Sequence, residues 1–497
     1  MKKFELVFIP IPGSGHLASM FEMANSLLAR DHRLAVTMIA IKLPLDAKVN
    51  EYIQSLYAQS LTNNSIKFII LPELPPPPND ENKIFFEVVL ESYKPHVKQA
   101  LISFLTTSTN HLVGFVLDSF CLTMVDVANE FKVPSYVYYT SSAAYLAFSL
   151  HLEQLYTQDN SSNEVIQQSK DSNVNFSVSS LVNQVPSKVI PSVFFINNFA
   201  VWFHEQAKRI RFDVKGVLIN TFDELESHVI SSLSTDSSLQ LPPLYPVGPI
   251  LHLNKNTETM DDRVVLKWLD DQPLQLVVFL CFGSRGAFQK DQVEEIARAL
   301  ERSRVRFVWS LRRPSGDVFQ SSIDYTNFED ILPEGFLDRT KNIGRVMKWA
   351  KNIGRVMKWA PQVEILGHPT IGGFVSHCGL NSTLESLWYG IPMATWPMYA
   401  EQQFNAFELV VELGLAVEIT IDYQNDLKEL DKPRILSAEE IEKGIRKLMD
   451  DNNNEIRKKV KKKSEECRKS VIEGGSSFIS LGKFIDDVLI NSPRGAN

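Results

Sequence analysis

Cysteine is scarce in this chain: four in 497 residues, at Cys121, Cys281, Cys378 and Cys467. None has CxxC spacing, so neither a disulfide framework nor a zinc cage is suggested. Long apolar runs are missing too. No stretch approaches the roughly 18 uninterrupted apolar residues that a membrane span needs. The N-terminal run MKKFELVFIPIPGSGH is short and broken by Pro10 and Pro12, unlike a signal peptide. Positive charge does not dominate, since 51 Lys and Arg face 59 Asp and Glu for a net charge of −8. That balance argues against nucleic acid as a partner. The basic run Arg457 to Lys463 sits in a helical pattern between acidic residues and reads as a solvated helix face. These absences predict a cytoplasmic chain without stable membrane insertion, whose Asn160-Ser161-Ser162 stays unglycosylated.

What is present fits an α/β protein. A hydrophobic content of 44% is ordinary, and the length is too great for one core, which predicts two domains. The first half alternates strand-like runs (Phe4 to Ile9, Leu34 to Ile39, Ile66 to Leu71, Val113 to Leu117, Ser135 to Tyr139, Val217 to Ile219) with helical patterns such as His16 to Leu28 and Ala143 to Leu155. The second half repeats the plan from Leu276 to Ile419. Strand–helix alternation implies parallel sheets with helices on both faces. Pro246 to Asp262 is rich in turn residues and reads as a linker, and the serine-rich stretch Gln158 to Ser180 reads as a loop. The decamer KNIGRVMKWA occurs at Lys341 to Ala350 and again at Lys351 to Ala360. Two short copies cannot form a solenoid. The second runs directly into Pro361, which makes the first the surplus copy by continuity.

Three stretches carry chemistry. Gly13-Ser14-Gly15-His16-Leu17-Ala18 follows the first strand and opens the first helix. It satisfies G-x-G-x-x-A, but a dinucleotide site also needs an acidic residue ending the second strand. TMIAIKLP has Lys42 there and no carboxylate before Asp46. The alternative makes His16 the point of the loop, because the positive end of the helix dipole favours neutral imidazole, the form that accepts a proton. VGFVLDSF places Asp118 at the C-terminal end of another parallel strand, where its carboxylate could fix the tautomer and stabilise the imidazolium. Phe279 to Gly286 supplies a second strand-to-turn element containing Ser284. In the third stretch, IGGFVSHC leads into GLNSTLES, with Asn381 and Ser382 as N-cap residues and Glu385 in the first turn. A small-residue turn opening a helix leaves N–H groups free for a phosphate, and His377 could add a donor.

The segment Trp359 to Gln402 resembles the signature box of plant family 1 UDP-glycosyltransferases. It matches at Trp359, Pro361, Gln362, His368, Gly372, Gly373, His377, Cys378, Gly379, Asn381, Ser382, Glu385, Gly390, Pro392, Trp396, Pro397, Glu401 and Gln402. Leu380 departs from it, since the family usually has Trp there. The resemblance runs from His16 to the C-terminal helix and looks closest to the group 71 enzymes. It implies an α/β GT-B fold of two Rossmann-like, doubly wound parallel-sheet domains facing a central cleft. The implied division is an acceptor-binding domain at 1–245, a linker at 246–262, a UDP-sugar-binding domain at 263–473, and a helix in 474–497 returning to the first domain.

The implied activity is inverting transfer of a sugar, most simply glucose, from a UDP-sugar to a hydroxyl of a flavonoid, phenolic or terpenoid. The alternative is a UDP-sugar-binding relative without turnover. His16 would act as base and Asp118 would orient it. The donor side would be Ser284, Trp359, Ala360, Gln362, His377, Leu380, Asn381, Ser382, Glu385, Glu401 and Gln402, with Thr140 from the first domain. Gly15, Phe85, Phe120 and Tyr145 would line the acceptor side, with the segment Phe194 to Phe203. The UDP-sugar is a co-substrate, so no cofactor is implied. No metal is implied either, because the chain lacks the Asp-x-Asp pair of metal-dependent glycosyltransferases. The resemblance implies a monomer.

Overall fold

A computed structural model describes residues 2–43, 47–63, 66–78, 80, 83–158, 169, 174–253, 260–314, 325, 327–347, 361–423, 434–450 and 454–492. Its strands are β1 (Phe4–Ile9), β2 (Leu34–Ala40), β3 (Ile66–Ile70), β4 (His111–Asp118), β5 (Ser135–Tyr139), β6 (Asn175–Phe176), β7 (Val185–Pro186), β8 (Val217–Ile219), β9 (Leu244–Pro246), β10 (Val277–Cys281), β11 (Arg306–Ser310), β12 (Gly344–Met347), β13 (Ile371–Ser376), β14 (Met393–Thr395) and β15 (Ala416–Glu418). One sheet has the order β3-β2-β1-β4-β5-β8-β9 and another β12-β11-β10-β13-β14-β15. The ladders in both are parallel.

Parallel strands covered on both faces need near-continuous apolar sequence. VVFLC of β10 and IGGFVS of β13 meet that condition and are buried at every position. Each sheet winds outward in both directions from a central pair, β1 with β4 and β10 with β13. That reversal of strand order leaves a crevice beyond the strands' C-terminal ends, where sheets of this kind bind ligands. His16 and Asp118 follow β1 and end β4; Ser284 and His377 follow β10 and β13.

The helix Ser476–Ile490 packs on the first sheet, with Phe484 against the rings of Tyr136 (5.1 Å) and Tyr245 (5.4 Å). The two halves also meet directly. Phe148 of the helix Ala143–Gln158 stacks on Phe404 of the helix Gln402–Phe407, with centroids 5.0 Å apart. Beside them lie two buried carboxyl groups, Glu226 at 2% exposure and Glu408 at 5%. Glu226 accepts the Ala143 and Ala144 N–H groups (3.1 and 2.7 Å) and is hydrogen-bonded to Glu408. Burial, and then the charge of Glu226, push the Glu408 carboxyl well above its usual range.

Two expectations change. β12 is built from the first copy of the decamer, which continuity had made the surplus one. The chain leaves the helix Phe336–Thr340 through a turn closed by Ile343 N–H to Thr340 C=O (2.9 Å), and this delivers the first copy to the edge of β11. Residues 348–360, with Trp349, Trp359 and Ala360, lie outside the described residues. Of the serine-rich stretch read as loop, the described end forms β6, paired antiparallel with β7.

Candidate active site

Gly13 is the N-cap of the helix Ser14–Arg30 and contributes no side-chain cap, so His16 stands in the first turn beside unfilled backbone N–H groups. The imidazole Nδ1 lies 2.8 Å from Asp118 Oδ2 and 3.0 Å from Thr140 Oγ1. Asp118 is fully buried and His16 keeps 32% of its side chain exposed, which leaves Nε2 as the ring's open face. Asp118 is held in turn by the Phe120 N–H on Oδ1 (3.0 Å), and the Phe120 ring stands edge-on to His16 at 5.5 Å. Burial pulls the His16 pKa down. The charge and hydrogen bond of Asp118, with the charge of Glu401, outweigh that pull and leave it above the ordinary value. The helix dipole alone argued for the opposite direction; the carboxylates win because one is in direct contact.

Across the crevice, the helix Leu380–Tyr389 begins at Gly379, whose extended backbone (φ −65°, ψ 141°) makes it the N-cap. Asn381 and Ser382, read as caps from the sequence, are the second and third helical residues. The first intrahelical bond is Thr383 N–H to Gly379 C=O (3.0 Å), so the N–H groups of Leu380, Asn381 and Ser382 precede the ladder. Such a terminus suits an anion. Cys378 holds a left-handed backbone (φ 64°). Ser376 Oγ on its N–H (3.1 Å) and Asn405 Nδ2 on its carbonyl (2.9 Å) fix it there. His377 is buried between two glycine loops: a Cβ on Gly283 would lie 2.5 Å from its Nε2, and one on Gly379 2.7 Å. Burial lowers its pKa to about 4, so the ring is neutral, and its Nδ1 has no partner among the described residues. Ser284 follows Gly283, which takes a left-handed backbone (φ 74°).

Gln362 donates to Ser382 Oγ (2.9 Å) and to Glu385 Oε2 (2.6 Å), tying three expected donor residues together. Burial raises the Glu385 pKa to about 7. Gln402 is buried; its Oε1 accepts the N–H groups of Met398 (3.0 Å) and Tyr399 (3.1 Å), and its side chain also hydrogen-bonds the Tyr399 phenol. Glu401 precedes it as the N-cap of the helix Gln402–Phe407; burial raises its pKa and the His16 charge opposes that. Leu380, at 8% exposure, belongs to the apolar core. The two sides touch where Asn381 Nδ2 donates to the Gly15 carbonyl (3.2 Å).

On the expected acceptor side, Phe120 continues into an aromatic wall through Trp202 (5.3 Å) and Phe203 (6.3 Å), and Phe203 meets Phe194 at 4.9 Å. Phe85 opens the helix Phe85–Thr107. Tyr145 is buried against Phe404 (5.6 Å) at the junction of the halves. Three residues escaped sequence reasoning. Arg285 opposes the carboxylates' effect on His16, Asn405 holds the Cys378 turn, and His252, bonded to Glu22 (2.6 Å), lowers the Glu385 pKa by its charge. Only Arg285 had a visible signal, as the sole charge in a small-residue turn.

Two facing Rossmann-like sheets, with an ordered His–Asp pair on one and an anion-binding turn on the other, define a GT-B glycosyltransferase architecture. The profile of the UDP-glucoronosyl and UDP-glucosyl transferase family matches residues 5–454. The chain is 47% identical to a putative UDP-glucose flavonoid 3-O-glucosyltransferase 3 of Fragaria ananassa, covering 98% of this chain and 100% of that one. It is 45% identical to UDP-glycosyltransferase 71E1 of Stevia rebaudiana, covering 98% and 99%. Medicago truncatula UGT71G1 complexed with UDP-glucose superposes with a TM-score of 0.82 at 39% identity, covering 98% of both chains. The chain therefore belongs to the UDP-glycosyltransferase family and is a UDP-dependent glycosyltransferase. No described helix is long and apolar enough to cross a membrane.

Proposed function

We propose that this enzyme transfers glucose from UDP-glucose to a hydroxyl of a small plant specialised metabolite, of the flavonoid, phenolic or terpenoid kind, with inversion at the anomeric carbon. The observation that carries the reading is the Asp118–His16 contact of 2.8 Å in a loop that also touches the anion-binding helix through Asn381. With Nδ1 engaged by Asp118, Nε2 accepts the acceptor's proton as the oxygen attacks the anomeric carbon and the bond to UDP breaks. The imidazolium so formed lies beside a buried carboxylate. The N–H groups opening the helix Leu380–Tyr389, with Asn381, Ser382, His377 and Ser284, take up the charge on the departing diphosphate in the place of a cation. Glu385 with Gln362 receives the ribose and base side, and Glu401 with the Gln402 amide receives sugar hydroxyls. Relatives named as flavonoid 3-O-glucosyltransferases and a UDP-glucose complex of a 39% identical protein support the donor and the acceptor class. Four free, buried cysteines among the described residues support a reducing, cytoplasmic setting, in which the enzyme acts as a monomer.

The test is a screen of phenolic acceptors with UDP-glucose, with products identified by mass spectrometry and anomeric configuration by NMR. A β-glucoside is expected from the α-linked donor. His16→Ala should nearly abolish transfer while leaving UDP binding intact; near-normal turnover of a weakly acidic phenol by that variant would overturn the mechanism. UDP binding with no product for any acceptor would instead support a binding protein without turnover.

A further inference from the structure

The central strand β10 ends at Cys281 and the chain turns from Phe282 to Gly286 at the crevice. Gly283 holds a left-handed backbone (φ 74°), and a Cβ on Gly286 would run into the Phe282 carbonyl oxygen. Between these two glycines the turn presents only Ser284 and Arg285, both half-buried. Arg285 makes no hydrogen bond or ion pair among the described residues. Other half-buried arginines are matched: Arg209 meets Asp126 (3.2 Å), and Arg306 meets Gln272 (3.1 Å). A partly desolvated cation without a counter-charge is costly unless a ligand completes it.

The reach of its charge shows which side of the turn the guanidinium serves. Arg285 opposes protonation of His16 across the crevice and eases ionisation of the Tyr399 phenol. His377, against which Gly283 packs on the side of the anion-binding helix, is shifted by burial alone. The Glu401 carboxyl answers to burial, to His16 and to Asn405, so it is not the missing counter-charge. The guanidinium therefore belongs to the side of the base and of Phe120, whose ring stands 5.5 Å from His16. A positive charge there weakens the base, which is a cost with a neutral acceptor. A carboxylate on the acceptor reverses the sign. The planar guanidinium takes it through two parallel N–H bonds, and the added anion restores the basicity of His16. We propose that Arg285 selects the acceptor, pairing with a carboxylate that the acceptor carries while its hydroxyl lies at His16, so that phenolic acids are the preferred class. The inference rests on the proposed transfer to phenols and narrows it, since neutral flavonoids and terpenoid alcohols would leave Arg285 unmatched.

The probes are two pairs: 4-hydroxyphenylacetate with 4-hydroxyphenylacetamide, and 3-(4-hydroxyphenyl)propanoate with its amide. Members of a pair differ in charge and hardly in shape, and the saturated linker keeps their phenols nearly equal in acidity. For the wild-type enzyme, kcat/KM for glucosylation of the phenol should favour the acid by about tenfold or more in at least one pair, the worth of a charge-assisted hydrogen bond. Arg285→Met should bring that ratio to about one, and Arg285→Lys, which keeps the charge without the fork, should retain part of it. The Kd of UDP should be the same in the wild type and in Arg285→Met. No preference for either acid in the wild type, or a preference that survives in Arg285→Met, overturns the assignment. So does an Arg285→Met enzyme that loses UDP affinity with its acid-to-amide ratio unchanged, which would put the cation on the diphosphate. The same ratio is read in Kd, by acceptor titration of the His16→Ala enzyme saturated with UDP. If no probe is glucosylated, the proposed transfer to phenols fails, and the Kd ratio still decides the role of Arg285.

Discussion

Nδ1 of His16 has two oxygens within hydrogen-bonding distance and one proton to offer. Asp118, buried and anchored by the Phe120 N–H, is the stronger acceptor, so Thr140 shares that proton or turns its own hydroxyl hydrogen toward the crevice. The pH profile should report this arrangement. Because His16 titrates above its ordinary value, the base is lost as pH falls through that raised pKa, and kcat/KM should show an acid limb there. Asp118→Asn removes the leading upward influence and leaves burial pulling down. The acid limb should therefore move to lower pH while the plateau drops by about 10² to 10⁴. A variant with a lower plateau and an unmoved limb would show that Asp118 only packs against His16. Leu380 offers a second test. Leu380→Trp is expected to raise kcat/KM for UDP-glucose about five- to thirtyfold by adding an aromatic wall and an N–H donor. A fall in Tm without a kinetic gain would mean that the indole has gone into the core, where Leu380 now packs.

At the level of elements, the duplicated decamer gives the clearest prediction. The copies are identical, so excising residues 341–350 or 351–360 yields the same chain, with one KNIGRVMKWA joined to Pro361. Among the described residues, Gly344–Met347 of the first copy pairs as β12 with β11, at the edge of its sheet. The shortened chain keeps that strand's sequence, and loop closure changes by only about 0.6 kcal/mol per doubling of length. Tm and UDP affinity should hold or rise on excision; loss of either would show that the extra ten residues serve the site. Most strands were legible, because buried parallel strands such as VVFLC write their environment as unbroken apolar runs. The helices Ala47–Asn63 and Asp223–Thr235 were not read: the first is interleaved with polar residues and the second is interrupted by the non-helical Glu226. At the site, His16 and Asp118 were visible as a loop residue and a strand end. The cap at Gly379 was not, because Asn381 and Ser382 are better caps by composition, and only the backbone shows that the helix starts earlier.

The whole molecule is held together partly by Glu226 from one half and Glu408 from the other, two buried carboxyl groups hydrogen-bonded to each other. Glu408 has a folded pKa well above its ordinary 4.5, so its contribution to stability is complete below that value and is lost as pH rises toward the folded one. Glu408→Gln cannot ionise and can still donate a hydrogen bond. Its Tm should match the wild type below about pH 4.5 and exceed it increasingly as pH rises above that value. Parallel Tm curves for the two proteins would place the ionisation elsewhere.

The bond from Asn381 to the Gly15 carbonyl joins the loop of the base to the helix that faces the diphosphate. One of its ends is main chain, and a Cβ on Gly15 would come within 3.2 Å of the Asn381 amide. Heritable variation can thus retune this link through a single codon, that of Asn381, while change at Gly15 can only crowd it. A change in the acceptor walls leaves this link in place, whereas a change at Asn381 removes its donor.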